Sequence, residues 1–278
     1  MTDPSQLLFL FGPGYSARAL AALWPGPVRG TYRSEASFEA LKTSNIQPVS
    51  ITEPSDLSAA VHGAHILISA PPNEDGCPAW HAIGEYASSA ASVTYLSTTG
   101  VYGDLSGGWA MEWSPVNPSS LRAKRRADAE QSWASAGANI RIVRLPGIYG
   151  PGRSAFDRLR AGRARRIVKP GQVFSRIHVD DIASGLLALI QSGAYGAFNL
   201  CDDYAAPPQD VIAYAAELLG MPPPPEIAFE GADLSAMARS FYSECKRVSN
   251  AKVKAATHWR PLYPTYREGL SAILALDP

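Results

Sequence analysis

The stretch Leu7-Leu8-Phe9-Leu10-Phe11-Gly12-Pro13-Gly14-Tyr15-Ser16-Ala17 decides how the rest of the chain is read. A continuous apolar run is a strand buried on both faces. It ends on two glycines, and a helix opens directly behind them. Gly12 permits a tight turn, and Gly14 lets the backbone approach a pyrophosphate. The small Ala17 allows the helix to sit close to the sheet. Tyr15 and Ser16 lie in the first helical turn, whose N–H groups have no partner within the helix and carry positive potential. Glycine-rich turns also simply end strands. The place of this one, at the head of a strand–helix–strand unit, favours a phosphate-binding turn.

Outward from that turn, short apolar runs alternate with helical stretches. The pattern predicts strands at Leu7–Phe11, Val28–Tyr32, Ile46–Ile51, His65–Ser69, Val93–Ser97 and Ile140–Leu145. Helices are expected over Tyr15–Trp24, Ser34–Thr43, Asp56–Val61, Ala79–Ala91, Leu121–Ala136, Ile182–Ile190 and Val211–Leu219. This alternation implies an α/β fold, a Rossmann-type doubly wound parallel sheet covered on both faces. Residues 1–150 form the dinucleotide-binding core. Residues 151–278, broken by the run Pro222–Pro225, complete the sheet and form a small C-terminal α+β substrate lobe within the same compact unit. Ala70 and Pro71, just past the fourth strand, join Gly12, Gly14, Tyr15, Ser16 and Ala17 as candidate cofactor contacts.

Composition narrows the partners. Lys+Arg and Asp+Glu balance at 25 each, which gives no reason to expect a nucleic-acid or acidic-membrane partner. Three scattered cysteines, Cys77, Cys201 and Cys245, offer neither a disulfide framework nor a zinc site. The Leu7–Phe11 run is too short for a signal-peptide core or a membrane span. The expectation is a soluble cytoplasmic protein that acts on a small molecule and holds no metal.

The end of the second strand reads Gly30-Thr31-Tyr32-Arg33-Ser34. A site selective for NAD usually places a carboxylate about 20 residues after the glycines, on the ribose 2′-hydroxyl. Here Arg33 and Ser34 stand at the strand end. A guanidinium and a hydroxyl suit a 2′-phosphate, so the expected cofactor is NADP, with NAD the second choice. Glu35 next door would blunt the charge of Arg33, and a solvated loop arginine is the plain alternative.

Four further blocks carry a resemblance. Tyr95-Leu96-Ser97-Thr98-Thr99-Gly100-Val101-Tyr102-Gly103 resembles the strand and active-site loop of the extended short-chain dehydrogenase/reductases, the NAD-dependent epimerase/dehydratase family. Arg144–Gly152 resembles their next strand and substrate loop, Arg176–Ala183 the segment that follows, and Phe198-Asn199-Leu200 their last strand. The blocks occur in family order from Leu7 to about Leu200. The tail, with Lys246–Asn250 and Tyr263–Tyr266, is similar to an atypical branch of that superfamily.

The resemblance implies a Ser/Thr that holds the substrate oxygen and a Tyr-x-x-x-Lys pair that moves the proton. Thr98 keeps the first position. At the other two stand Arg122 and Arg126, and arginine stays protonated and is a poor proton shuttle. Arg126 would bind a ribose or phosphate, and Arg122, one turn away on the same face, would bind a carboxylate or polarise a carbonyl. Lys124 is rotated about 200° around the helix and does not replace the lysine. The alternative is a solvated basic helix face. Tyr102, on the Thr98 loop, is the first candidate for the proton donor, and Tyr149 the second. Against both stands a phenol packed on the sheet with its hydroxyl hydrogen-bonded.

Three features remain open on sequence alone. His178 precedes Asp180 and Asp181, which read as the start of a helix capped by Asp180. The cluster Arg158, Arg160, Arg163, Arg165, Arg166 and Lys169 would receive an anionic substrate or form a soluble surface. Trp109 and Trp113 would wall the pocket or pack in the core. The family also implies a homodimer through Ala79–Ala91 and Leu121–Ala136. Two functions are consistent with these residues: an NADP(H)-binding atypical reductase or epimerase-like enzyme, or a non-catalytic NADP(H)-binding redox-sensing regulator.

Overall fold

The computed structural model describes residues 6–137 and 139–276. Seven parallel strands form the central sheet: β1 (Leu8–Phe11), β2 (Val28–Tyr32), β3 (Gln47–Ser50), β4 (His65–Ile68), β5 (Ser92–Thr98), β6 (Ile140–Leu145) and β7 (Gly196–Asn199). Across the sheet they run β3-β2-β1-β4-β5-β6-β7, with every pairing parallel. The order reverses between β1 and β4, and ligands of open parallel sheets bind outside the strand ends at such a switch point. That is where the turn at Gly12 lies.

β1 shows why the sheet is covered on both sides. Leu8 and Leu10 pack with Ala17 and Leu20 of α1 (Tyr15–Leu23) and with Leu186 and Leu189 of a later helix, α7 (Val179–Ser192). Phe9 and Phe11 face the other way, onto Leu57, Ala60, Ile83 and Trp133. These belong to α3 (Pro54–Val61), α4 (Pro78–Ile83) and α5 (Leu121–Ala134); α2 (Glu35–Lys42) links β2 to β3. Leu8, Phe9 and Leu10 are fully buried, which stabilises the fold by roughly 1.5–3 kcal/mol each.

Two helices differ from the sequence reading. The stretch expected as one helix over Ala79–Ala91 is α4 followed by a 3₁₀ turn at Gly84–Ser89. The indole of Trp80 closes over Gly84, where a Cβ would lie 3.1 Å from the ring. α7 begins three residues earlier than expected, and its N-cap is His178, whose Nδ1 accepts from the Asp180 N–H at 3.3 Å. Asp180 lies in the first turn instead of capping it.

The second half of the chain supplies α7 and β7 to the main sheet. It adds α6 (Ala155–Arg160), α8 (Pro208–Leu218), α9 (Ala236–Phe241), α10 (Ala251–Thr257) and α11 (Tyr266–Ala275), with a separate core around Phe156, Ile212, Tyr266 and Leu270. Short parallel pairs join Gly147–Tyr149 to Arg176–His178 and Arg166–Val168 to Glu226–Ala228. Among the described residues no helix is long and apolar enough to cross a membrane.

Candidate cofactor and substrate site

The turn after β1 leaves the backbone of its two glycines uncovered by side chains of their own. Gly12 has φ +78°, and a Cβ there would lie 2.8 Å from that of Ala70. Its N–H donates to Thr31 Oγ1 at 2.9 Å, and its carbonyl accepts from Gly14 N–H at 2.7 Å and from the Ser69 hydroxyl. Gly14 is the N-cap of α1 and brings no side-chain cap. The orphan N–H groups of the first turn are therefore left for an external acceptor. Ser16 and Ala17 are buried against the sheet, and Ala70 and Pro71 form the opposite lip. This geometry fits the pyrophosphate of a dinucleotide.

Arg33 and Ser34 stand at the end of β2, both exposed. The Ser34 hydroxyl is already committed: it accepts from Ser37 N–H at 3.3 Å as the N-cap of α2, and Ser37 Oγ returns a bond to the Ser34 carbonyl at 2.7 Å. Among the described residues the guanidinium of Arg33 takes part in no hydrogen bond or ion pair, and the side chain is exposed.

At the C-terminal end of β5, Thr98 caps the 3₁₀ turn Thr99–Tyr102. Its Oγ1 accepts from Gly100 N–H at 3.1 Å, which leaves the hydroxyl proton to be donated. Beside it, the Ser97 hydroxyl is buried without a partner.

Of the two readings of Tyr102, proton donor or packed phenol, the structure shows the packed one. It is 1% exposed, and its hydroxyl donates to Asn199 Oδ1 at 2.7 Å and accepts from Arg144 at 2.9 Å. Burial pushes its pKa up, with Arg144 opposing. A phenol engaged on both sides inside the core is not presented to a substrate. Tyr149 is also buried, its hydroxyl donating to the Thr265 carbonyl at 3.4 Å, and burial again raises its pKa.

The two arginines on α5 diverge. Arg122 is exposed. Arg126, half-buried, reaches the sheet and donates to the Leu96 carbonyl at 2.6 Å and to Tyr95 OH at 3.2 Å. Tyr95 itself is fully buried, and its hydroxyl is pushed up by burial to about 12. Arg126 thus pins α5 to β5.

The network that immobilises Tyr102 was not legible as such. Arg144, at the end of β6, forms a two-toothed ion pair with Glu130 of α5 at 2.7–3.2 Å, with both side chains nearly excluded from solvent. Its guanidinium also lies 4.8 Å over the Tyr102 ring. The sequence held one clue, an arginine at position 144 inside the mainly apolar strand β6. A second unforeseen feature is the segment Glu244–Ser249. Cys245 accepts from Leu105 and Gly107, Lys246 Nζ donates to the Gly103 carbonyl at 2.6 Å, and Arg247–Val248 pairs with Trp109–Ala110. The loop after Tyr102 is thereby tied to the C-terminal lobe.

The remaining candidates scatter. Trp109 and Trp113 are 57% and 78% exposed, so neither is a core residue. In the basic cluster, Arg166 pairs with Glu226 at 2.8 Å, while Arg165 and Lys169 donate to the carbonyls of Asp233 and Tyr242. Arg158 stays exposed, near enough to Arg176 and Tyr242 to influence their protonation. His178 is 2% exposed, between the rings of Tyr149 and Tyr263 at 5.2 and 4.4 Å, and burial lowers its pKa. Asp181 is fully buried and accepts from the N–H groups of Leu262 and Tyr263 at 2.6 and 3.1 Å. Among the described residues no three His, Cys, Asp or Glu side chains are grouped to hold a metal.

A nucleotide-binding turn at the switch point, followed by the Ser-Thr-Thr-Gly loop on β5, defines a Rossmann protein of reductase type. Residues 78–201 match the family model described as the NAD dependent epimerase/dehydratase family. A conserved protein of unknown function from Silicibacter pomeroyi is 47% identical, with 98% of this chain and 99% of that chain superposed at a TM-score of 0.90. Over residues 78–201 this chain resembles the extended short-chain dehydrogenase/reductases, and its fold is theirs. The dTDP-glucose 4,6-dehydratase of Bacillus anthracis, solved with NAD, shares the fold at 16% identity, over 98% of this chain and 96% of that one, with a TM-score of 0.77. Other solved neighbours hold NAD or NADPH. Among curated proteins, the 3-diazoavenalumate denitrifying reductase of a Streptomyces species is 29% identical over 152 residues, 52% of this chain and 50% of that protein. The match therefore spans half the length of that relative.

Proposed function

We propose that this protein is an NADP(H)-dependent reductase of a small, polar, anionic metabolite. The observation that carries the reading is the pairing of a glycine turn whose helix N-cap, Gly14, brings no side-chain cap with an Arg33 at the end of β2 whose guanidinium is unengaged among the described residues. Gly12, Gly14, Tyr15, Ser16 and Ala17 would hold the pyrophosphate, Ala70 and Pro71 the neighbouring ribose, and Arg33 the 2′-phosphate. Ser34 contributes through the α2 N-terminus that it caps. A bound nicotinamide supplies or takes up hydride.

Hydride transfer at such a site is reversible, and the reductive direction is the one in which the hydrogen-bond donors of this chain meet an unreacted carbonyl or imine. Thr98 donates its free hydroxyl proton as a hydrogen bond to the substrate oxygen or nitrogen and so polarises it. Arg122, exposed at the start of α5, binds a carboxylate on the substrate. Arg126 holds the cofactor side of α5 against β5. No phenol or amine in this arrangement is placed to strip a proton from an alcohol, as epimerisation through a ketone requires. A proton needed by the product reaches it from solvent, along the exposed Arg122 side of the site. The curated relative named as a reductase supports the same direction.

Turnover of NADPH with a panel of anionic carbonyl compounds tests the reading, repeated with Thr98→Ala and Arg122→Ala. Loss of one hydrogen bond developing in the transition state costs about 10²–10³ in kcat, and loss of Arg122 raises KM. Turnover indifferent to both removes the assignments. A second reading, a redox-sensing regulator, is favoured by the replacement of the Tyr-Lys pair. Tight NADPH binding without turnover, and with a partner captured only in one redox state, would select it.

A further inference from the structure

The loop after β6 ends in Gly150-Pro151-Gly152-Arg153, a closed turn. Gly150 N–H bonds the Arg153 carbonyl at 3.4 Å and Arg153 N–H the Gly150 carbonyl at 3.0 Å. Pro151 fixes the second position, and Gly152, at φ +69°, takes the third, where a type II turn needs a positive φ. The turn is fastened to the nucleotide side of the molecule: Tyr15, the first residue of α1, donates its hydroxyl to the Pro151 carbonyl at 2.9 Å. A side chain at Gly150 would collide with that hydroxyl and with Val179, where a Cβ would lie 2.7 Å from Cγ1. The fastening fixes where Arg153 emerges. Its guanidinium lies 5.9 Å from the centre of the Tyr15 ring. The side chain is exposed and carries no ion pair among the described residues. The nearest acids are Asp157, spent on the Ser154 N–H and hydroxyl at 2.6 and 2.9 Å, and the exposed Asp180.

We propose that Arg153 is a cofactor-binding residue: with Tyr15 it forms a clasp by which the substrate-side loop closes on the cofactor's pyrophosphate. The inference rests on the nicotinamide-cofactor reading above and extends it. An exposed guanidinium near the ring of Tyr15, the first residue of α1, offers paired donors in the forked geometry suited to phosphate oxygens. Because the turn continues the loop from Gly147 to Tyr149, occupancy of the nucleotide site and order in the substrate loop become linked through Tyr15 and Pro151.

The test titrates NADPH and NADH separately into the full chain and into Arg153→Ala, Arg33→Ala and Tyr15→Phe. Both nucleotides carry the pyrophosphate, so Arg153→Ala weakens both by the same factor, about tenfold for one charge-assisted contact. Arg33→Ala weakens NADPH alone. Tyr15→Phe keeps the ring, frees the turn, and speeds dissociation of both nucleotides. Equal affinities in Arg153→Ala and the unaltered chain overturn the clasp and leave the cofactor reading standing. A loss confined to NADPH also overturns it, moving Arg153 to the 2′-phosphate. An unaltered chain that binds neither nucleotide overturns the cofactor reading, and the clasp with it.

Discussion

The turn between β1 and α1 and the face between β5 and α5 lie on the same edge of the sheet, yet they treat their polar groups in opposite ways. At the turn, the functional groups are main-chain N–H groups, and the side chains around them (Gly12, Gly14, Ala17, Ala70) are small so as to stay out of the way. At the β5–α5 face, two of the four side chains that sequence nominates for chemistry are spent on holding the fold together, Tyr102 on Arg144 and Asn199 and Arg126 on Leu96, while Thr98 and Arg122 stay available. A backbone-built site survives as long as the fold does. A side-chain site persists only while its groups are not claimed by a better-satisfied network.

Four substitutions press on that contrast, the largest effect first. Glu130→Ala would leave the Arg144 charge in a site 5% exposed, and breaking such a pair costs about 3–5 kcal/mol. Urea unfolding should show this. Nucleotide affinity of the folded fraction should not change, and a change would mean the two regions are coupled. Asp181 comes next. Burial raises its carboxyl to about 6, against the two N–H groups it accepts. The folded chain therefore holds a proton that the unfolded chain releases near pH 4. This contribution to stability is full below pH 4 and falls by about 3 kcal/mol as pH rises to about 6. Stability measured against pH for the unaltered chain and Asp181→Asn should differ by that slope; parallel curves would contradict it.

Gly12→Ala follows. A side chain at φ +78° and against Ala70 costs on the order of 1–3 kcal/mol of stability, and nucleotide binding should disappear with it. Binding retained at the original affinity would show that the turn is not the site. The smallest effect belongs to Tyr102→Phe. Removing a hydroxyl between Arg144 and Asn199 costs about 1 kcal/mol or slightly more, and any turnover the protein has should be kept. A loss of 10² or more in kcat would return Tyr102 to the reaction.

How far the sequence could be read follows the same division. Strands were legible where burial on both faces leaves an apolar run, as at Leu8–Phe11, and Val28–Tyr32 and Ile140–Leu145 were placed residue for residue although each carries arginine. The turn at Gly12 was legible because its requirement is the absence of side chains, which a sequence states directly. The fate of Tyr102 was not, since its partners Arg144 and Asn199, and the Glu130 that holds Arg144, come from three separate elements. Helix ends were missed where a long-range contact set them, as Trp80 over Gly84 does, or where an unexpected side chain caps, as His178 does for α7.

The central claim is that the backbone-built nucleotide site is intact while the proton-transfer pair has been replaced by arginines. Thermal unfolding with NADPH, NADP⁺, NADH and NAD⁺ tests it most directly. A nucleotide at 100 times its Kd adds roughly 2.7 kcal/mol of stability, several degrees for a chain of this size. The account predicts that shift with the phosphorylated pair and a smaller one with the other two. No shift with any of the four would contradict it.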